Sequence, residues 1–221
     1  DETERENWDA ITALLTPISK GWGTDVGVEM TSLGVQTHGG MGYVEETGVA
    51  QHWRDVRIAP IYEGTNGIQA LDLVRRKLGH DQGLSMNALL EEILLFDGTL
   101  SISDDGTIMA IRDRLAKART ALAQTTHKLL SDLKNNPNRA EAAATPYLEL
   151  AGTVLGGYYM ARAALIAEEK ISKKIGNISF YKTKLATALF YTENILPKSA
   201  ALAHASTYGS DSVLSIAPEA F

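Results

Sequence analysis

The residue best suited to acid–base chemistry in this sequence is Glu63, in the segment IYEGTNGIQ, directly before a glycine and ahead of a helix start. A carboxylate at the edge of an apolar site can remove a proton from a carbon acid, because the loss of water makes it a stronger base. The alternative is structural, since a lone glutamate is usually solvated and Thr65 or Asn66 can act as the helix N-cap. The local residues leave both interpretations open.

A second candidate is the glycine cluster Gly39-Gly40-Met41-Gly42, which follows a predicted helix. Backbone amides can approach a phosphate closely where no Cβ is in the way. A loop that simply ends the helix explains the same residues, because glycine commonly marks such ends. The cluster alone therefore does not decide between a binding site and a turn.

The other polar groups predict no site of their own. The sequence has no cysteine, which excludes disulfides, Cys-ligated metal and a Cys nucleophile. His38 and His52 are not spaced as metal ligands on one helix face, so no metal site is expected. The segment Arg54-Asp55-Val56-Arg57 predicts a local ion pair or an arginine clamp. We find no catalytic constellation in residues 84–221, whose Tyr147, Tyr158 and Tyr159 are expected in the core or at an interface.

The elements that must position these residues are predicted to be helical throughout. Apolar residues recur every three or four positions, and no convincing strand-like alternation extends over five residues. Gly152 and Gly156 fall on one helix face, where a neighbouring helix can come close, and Pro197 should interrupt the last helix. The fold class is therefore all-α, with helices over 8–20, 25–37, 49–58, 66–78, 86–96, 108–133, 147–166 and 181–208.

Composition divides the 221 residues into two regions. Residues 1–83 hold 13 acidic and 7 basic residues, 12 of the 19 glycines and all three tryptophans, whereas 84–221 hold 14 acidic and 14 basic residues. The segment 79–83 resembles a helix end, with Gly79 as the C′ residue, followed by a linker. We therefore expect domains over 1–80 and 84–221, the second being an antiparallel helical bundle.

Charge and hydropathy limit the classes of binding partner that the sequence favours. The net charge of −6 and the absence of a basic patch argue against nucleic acid. No stretch reaches the roughly 18 apolar residues of a membrane span. We expect a cytoplasmic protein that binds neither membranes nor nucleic acid. The opening DETEREN resembles mid-protein surface, which suggests a piece of a longer chain.

Together, residues 34–76 resemble the end of the acyl-CoA dehydrogenase family, through the order and spacing of Q-x-x-G-G-x-G-Y, R-D-x-R-I and I-Y-E-G-T-x-x-I-Q. The resemblance covers about residues 8–80. Residues 84–221 are similar to the extra C-terminal helical domain of the subgroup that includes 3-methylmercaptopropionyl-CoA dehydrogenase. The chain lacks the family's N-terminal helical domain and middle β domain, so the fragment alone is not expected to turn over.

The resemblance implies FAD-dependent oxidation of an acyl-CoA to the trans-2-enoyl thioester, with Glu63 as the base that removes the α-proton. Gly64 would let the thioester pass close to the backbone. The family's FAD-binding positions, the first group of which typically serves the neighbouring subunit of a dimer, match Gln36, Thr37, His38, Gly39 and Gly40, then Thr65, Asn66 and Gly67, and finally Arg75.

The family also implies a homo-oligomer, a dimer or a dimer of dimers, and an electron-transfer flavoprotein as electron acceptor. Residues 84–221 are expected to close the dimer or cap the neighbouring subunit. Two alternatives stay open: a non-catalytic helical assembly module of the same family, and an acyl-CoA oxidase-like relative that passes electrons to oxygen.

Overall fold

A computed structural model of the chain describes residues 2–220. Within this range every regular element is helical, which confirms the predicted all-α class. The first region contains α1 (Glu2–Thr37), α2 (Gly40–Tyr43), α3 (Val49–Val56), and α4 (Asn66–Leu71), which continues as a π-helical segment over Asp72–Leu78. A short 3₁₀ turn, Glu45–Thr47, separates α2 from α3.

The second region contains α5 (Leu84–Leu100), α6 (Gly106–Asn135), α7 (Pro137–Ala142), α8 (Ala144–Ser172), α9 (Ile178–Phe190), α10 (Lys198–Tyr208) and α11 (Ser210–Leu214), followed by a 3₁₀ turn, Pro218–Ala220. A π-helical turn, Tyr191–Ile195, and Pro197 separate α9 from α10, so the predicted interruption at the proline is confirmed. Asp105 caps α6 by accepting hydrogen bonds from the amides of Thr107 and Ile108.

The first helix differs from the prediction, because α1 runs unbroken where two helices over 8–20 and 25–37 were expected. Gly21 stays helical because α1 packs tightly there: a Cβ at Gly21 would lie 2.9 Å from Leu148 of α8. The Thr24 hydroxyl also bonds back to the Lys20 carbonyl at 2.7 Å. Tertiary packing thus overrides the low helix propensity of glycine in the GWG segment.

The end of the fourth predicted helix also differs. Gly79 has φ −68°, so it continues the right-handed helix instead of ending it as a C′ residue. The chain turns at Gln82 and Gly83, which have φ of 55° and 79°. The Asp81 side chain accepts hydrogen bonds from the amides of Gly83 and Ser85 and so starts α5.

The core lies mainly around α8, which contacts α6, α9 and α10 and, from the first region, α1 and α4. By length and composition α8 is apolar enough to cross a membrane, although no run in the sequence had suggested one, and 61% of its most apolar window is buried inside the fold. Tyr147 and Tyr158 lie in this core, as expected, whereas Tyr159 is exposed and stacks beside Tyr158.

The close approach predicted at Gly152 and Gly156 is confirmed. A Cβ at Gly152 would lie 2.2 Å from Cγ of Trp22 on α1, and one at Gly156 would lie 2.3 Å from the hydroxyl of Tyr191. That hydroxyl donates to the Thr153 carbonyl at 2.9 Å. The two regions therefore share a tightly packed seam, and the division into domains at 80–84 stays a prediction.

Candidate functional site

Glu63 lies in the loop between α3 and α4, with its side chain exposed. Its backbone is left-handed, with φ of 54°, and Gly64 follows with φ of 83°. Glycine adopts this conformation freely, but a residue with a Cβ pays about 1–2 kcal/mol for it. A strained residue of this kind persists only where its surroundings hold it, and such residues cluster at functional sites.

The backbone carbonyls of both residues in this strained pair accept hydrogen bonds from side chains. Lys20 Nζ, from α1, donates to the Gly64 carbonyl at 2.7 Å. Gln69 Nε2, from α4, donates to the Glu63 carbonyl at 3.0 Å. Lys20 lies outside the motifs quoted above, whereas Gln69 is the last residue of I-Y-E-G-T-x-x-I-Q. The sequence analysis assigned a role to neither, because each contact depends on how α1, the loop and α4 are arranged in space.

The start of α4 combines capping with open backbone. Thr65, one of the two predicted N-cap candidates, is the N-cap, and its hydroxyl accepts from the Ile68 amide at 3.5 Å. The side-chain nitrogen Nδ2 of Asn66 donates to the Gly21 carbonyl at 3.0 Å and to the Thr24 hydroxyl at 2.9 Å, so this side chain joins α4 to α1. A Cβ at Gly67 would meet no protein atom within 4 Å.

The segment 36–40 ends α1 and is exposed at every residue. The Thr37 hydroxyl bonds back to the Leu33 carbonyl, and His38 Nδ1 lies 2.9 Å from the Gly34 carbonyl. Gly39 then takes φ 60° and ψ −144°, a conformation almost restricted to glycine. Gln36 projects from the last turn of the helix just before this break.

The glycines of these segments fall into two kinds. A Cβ at Gly42 would lie 2.2 Å from the Val35 carbonyl, so internal packing explains that residue. Gly39, Gly40 and Gly67 have no protein atom within 4 Å of a Cβ position. Their backbone is thus open to a phosphate-bearing group, such as the diphosphate of FAD, which their amides can approach without steric obstruction. Gly39, Gly40 and Gly67 therefore fit the diphosphate of a bound FAD.

The predicted site residues do not all come together in this chain. Glu63, Gly64, Thr65, Asn66 and Gly67 form one continuous turn beside the middle of α1. The segment 36–40 lies at the far end of α1, about 25 Å away at 1.5 Å per residue from Lys20. An open cavity of about 700 Å³ extends along the helix between them, lined by Glu29, Leu33, Trp53, Arg57 and Thr65, among others.

Arg75 lies apart from both groups. Its guanidinium pairs with the Glu141 carboxylate of α7, which raises the pKa of Arg75. The side chain is 55% exposed and links the π-helical segment to the second region. Arg54, from the predicted ion-pair segment, bonds Glu45 at 2.7 Å. Among residues 2–220 no group of three or more His, Asp or Glu side chains is arranged to hold a metal.

Comparisons with known families match both regions. The family described as "Acyl-CoA dehydrogenase, C-terminal domain" matches residues 4–78, and the family described as "Acetyl-CoA dehydrogenase C-terminal like" matches residues 89–217. The second match alone spans more than half of the chain.

Two curated relatives match nearly all of this chain. It is 41% identical over 213 residues to 3-methylmercaptopropionyl-CoA dehydrogenase of Ruegeria pomeroyi, covering 96% of this chain and 36% of the relative. It is 31% identical to a butyryl-CoA dehydrogenase of Syntrophomonas wolfei, and this match covers 89% of this chain and 32% of the relative. The chain thus spans about a third of the length of these relatives.

Among solved structures, an acyl-CoA dehydrogenase complexed with FAD from Bacillus anthracis superposes with a TM-score of 0.62. The match covers 94% of this chain and 34% of that protein, at 19% sequence identity. At this identity the likeness supports the fold.

Proposed function

Because the chain belongs to the acyl-CoA dehydrogenase family, we propose that it is the C-terminal part of an FAD-dependent enzyme that oxidises an acyl-CoA thioester to the trans-2-enoyl thioester. The observation that carries the proposal is the backbone of Glu63. Glu63 has an exposed side chain on a strained left-handed backbone, Gly64 after it is also left-handed, and side chains from two helices hold the backbone carbonyls of the pair. A merely solvated glutamate gains nothing from such strain.

In this proposal the Glu63 carboxylate removes the proton from the α-carbon of the thioester. The electron pair of that C–H bond forms the Cα=Cβ double bond, and hydride leaves the β-carbon. FAD, when bound, supplies the acceptor for this hydride. Gly64 adds no side chain beside the base, which leaves room for the thioester to approach the backbone. Bound substrate would displace water from the exposed carboxylate, and this loss of water would make it a stronger base.

The proposed FAD contacts are divided between the ends of α1 and α4. Gln36, Thr37, His38, Gly39 and Gly40 would bind the adenosine diphosphate part, and the separation of this segment from Glu63 supports its use by the neighbouring subunit of a homo-oligomer. Thr65, Asn66 and Gly67 would form the second contact at the start of α4, where the backbone amides of Thr65 and Gly67 would face the cofactor while that of Asn66 bonds the Pro60 carbonyl. Arg75 would contribute once the cofactor competes with Glu141. An electron-transfer flavoprotein is the proposed electron acceptor.

The test is Glu63→Gln in the full-length flavoprotein that contains this chain. Under anaerobic conditions a panel of acyl-CoAs is added and flavin bleaching is followed. We expect the variant to keep its flavin absorbance while bleaching slows by at least about 100-fold, since general-base catalysis contributes on this scale. Glu91→Gln is the matched control, because Glu91 is an exposed carboxylate on α5 in the second region.

Normal bleaching of Glu63→Gln would overturn the assignment of the base. A wild-type yellow protein that no acyl-CoA bleaches would contradict the substrate class. A colourless protein that FAD cannot reconstitute would favour an assembly role, and rapid reoxidation of the reduced enzyme by oxygen would favour an oxidase.

A further inference from the structure

The strained pair Glu63–Gly64 is held by its two carbonyl oxygens. In a left-handed pair these oxygens point away from the hydrogen bonds of a regular helix, so each needs another donor. Here Lys20 supplies the donor for Gly64 and Gln69 supplies the donor for Glu63. The backbone amide of Asn66 donates to the Pro60 carbonyl at 3.1 Å and so closes the loop that contains the pair.

Lys20 is the contact that ties this loop to α1. Its Nζ donates to the Gly64 carbonyl at 2.7 Å and to Asn66 Oδ1 at 2.8 Å, across 44 and 46 residues of sequence. Both bonds have an ionised donor, which makes them stronger than neutral ones. The side chain is partly buried, so water competes less well for the ammonium group than it would on the open surface.

The partner of Lys20 is itself fixed. Asn66 Nδ2 lies 3.0 Å from the Gly21 carbonyl, 2.9 Å from the Thr24 hydroxyl and 2.7 Å from Asp25 Oδ1. Each of these groups belongs to the same stretch of α1 as Lys20. Less than two turns of α1, from Lys20 to Asp25, therefore hold both the residue after Glu63 and the first residue of α4.

The direction in which the Glu63 side chain leaves the backbone depends on these bonds. If Lys20 no longer held the Gly64 carbonyl, the left-handed pair could relax towards less strained backbone angles. A rotation about φ and ψ at Glu63 would swing its carboxylate, which stands several bonds from the backbone. A displacement of about 1 Å at a reacting group can cost on the order of 100-fold in rate.

We propose that Lys20, together with Gln69, is a positioning residue that fixes the carboxylate of Glu63 for proton abstraction. Neither side chain touches the reacting atoms; both act through the backbone of the strained pair. The proposal rests on the proposed role of Glu63 as the base. It differs from a general tethering role of Lys20, which would lower stability and flavin content but leave the rate per bound flavin unchanged.

The test uses Lys20→Met in the full-length holoenzyme, which keeps most of the apolar stem and removes the ammonium group. Flavin reduction by a saturating acyl-CoA is followed by anaerobic stopped flow. We expect the limiting rate constant per bound flavin to fall about 10- to 100-fold. The substrate concentration at half-maximal rate should change less than about 3-fold, because the missing interaction positions the base without binding substrate.

A readout without substrate is hydrogen–deuterium exchange in the resting holoenzyme. Amides in peptides covering residues 62–69 should exchange faster in Lys20→Met. Lys182→Met is the matched control, since Lys182 is an exposed lysine on α9. It should change neither the exchange at residues 62–69 nor the limiting rate. Lys20→Arg, which restores a charged donor, should recover part of the lost rate.

Two further variants keep the proposal open to refutation. If Lys20→Met fails to bind flavin, Gln69→Met removes the other donor and should show the same loss of limiting rate and the same faster exchange. Added to Glu63→Gln, Lys20→Met should cause no further loss of rate, because the base it positions is already gone.

Wild-type limiting rates in Lys20→Met, or in Gln69→Met where that variant is used, together with inactive Glu63→Gln, would overturn the positioning role and leave the proposed function standing. Normal reduction by Glu63→Gln would overturn the proposed function itself. A fall of the Lys20→Met rate that only matches its loss of bound flavin would assign Lys20 to tethering alone.

Discussion

The two regions of this molecule use their apolar residues differently. Among the described residues, 7 of the 33 buried apolar side chains lie before residue 84 and 26 lie after it. The first region also leaves Leu33, Trp53, Ile61 and Tyr62 about half exposed around the cavity and the Glu63 loop. The helices of the second region form most of the core. The first region carries the exposed apolar surface and the candidate site residues, and its helices pack against the second region.

Because of this difference, we expect residues that determine folding stability and residues that act in the proposed reaction to lie largely in different regions. The candidate site residues lie between Lys20 and Arg75, where glycine gives the backbone open approaches and left-handed turns. The second region packs against α1 at the seam around Trp22, and its Glu141 forms an ion pair with Arg75 of the π-helical segment. Substitutions in the second region should therefore change folding free energy, while substitutions near Glu63 should change rates with little effect on folding.

The largest effect on folding is expected for Leu122→Ala in α6. Leu122 is fully buried in the shared core, and its truncation should lower the free energy of unfolding by about 2–5 kcal/mol through lost transfer free energy and a cavity. Leu33→Ala in α1 is the matched change at a side chain that is 50% exposed. It should cost less than about 1 kcal/mol in the 221-residue chain.

Denaturant unfolding of the two variants measures this difference. Equal losses of unfolding free energy in Leu122→Ala and Leu33→Ala would contradict the contrast between a second region with a buried core and a first region with exposed apolar side chains.

The seam between the regions is tested by Gly152→Ala. The added Cβ would meet the Trp22 side chain at 2.2 Å, so α1 must move away from α8 and stability should fall by about 1–3 kcal/mol. Trp22 fluorescence should shift to longer wavelength as the ring becomes more exposed. Gly98→Ala in α5 is the control, because a Cβ there meets no atom within 4 Å.

Gly98→Ala should be neutral or stabilise by up to about 1 kcal/mol through helix propensity. If Gly152→Ala were as stable as this control, the seam would not couple the regions.

The smallest effect is expected for Tyr147→Phe in the buried core. The Tyr147 hydroxyl lies 2.7 Å from the Thr126 hydroxyl, which itself bonds the Leu122 carbonyl, so the loss at neutral pH should be about 1 kcal/mol. Burial raises the pKa of Tyr147 well above its usual value. Burial, followed by the bond to Glu92, raises the pKa of Tyr158 to about 12.

The sign of the pH dependence follows from these shifts. A tyrosine whose pKa is raised in the folded state binds its proton more tightly there than in the unfolded chain, where its pKa is about 10. Its contribution to stability is therefore complete below pH 10 and is lost as the pH rises towards the folded value. Tyr147→Phe should flatten this decline by up to about 1.4 kcal/mol per pH unit, measured by thermal unfolding between pH 9 and pH 12. Tyr159→Phe, at a 51% exposed ring, should leave it unchanged.

Much of the fold could be predicted because it depends on local patterns. The helices of the second region follow from apolar residues at three- and four-residue spacing, and the break before α10 follows from Pro197. The error at Gly21 has the opposite origin, since its helical conformation depends on Leu148, more than a hundred residues away.

The same division applies to the candidate site. The sequence by itself determined the helical class and the glycine-rich segment 36–40, because residue type and short spacing carry that information, and the resemblance of its motifs pointed to Glu63 as the candidate base. Only the tertiary structure decided that Glu63 is strained and that Lys20 and Gln69 hold it. It also decided that segment 36–40 lies at the other end of α1. The physical reason is that these contacts depend on how α1, the loop and α4 are arranged in space, and the residue type of Lys20 or Gln69 does not indicate which carbonyl its side chain will meet.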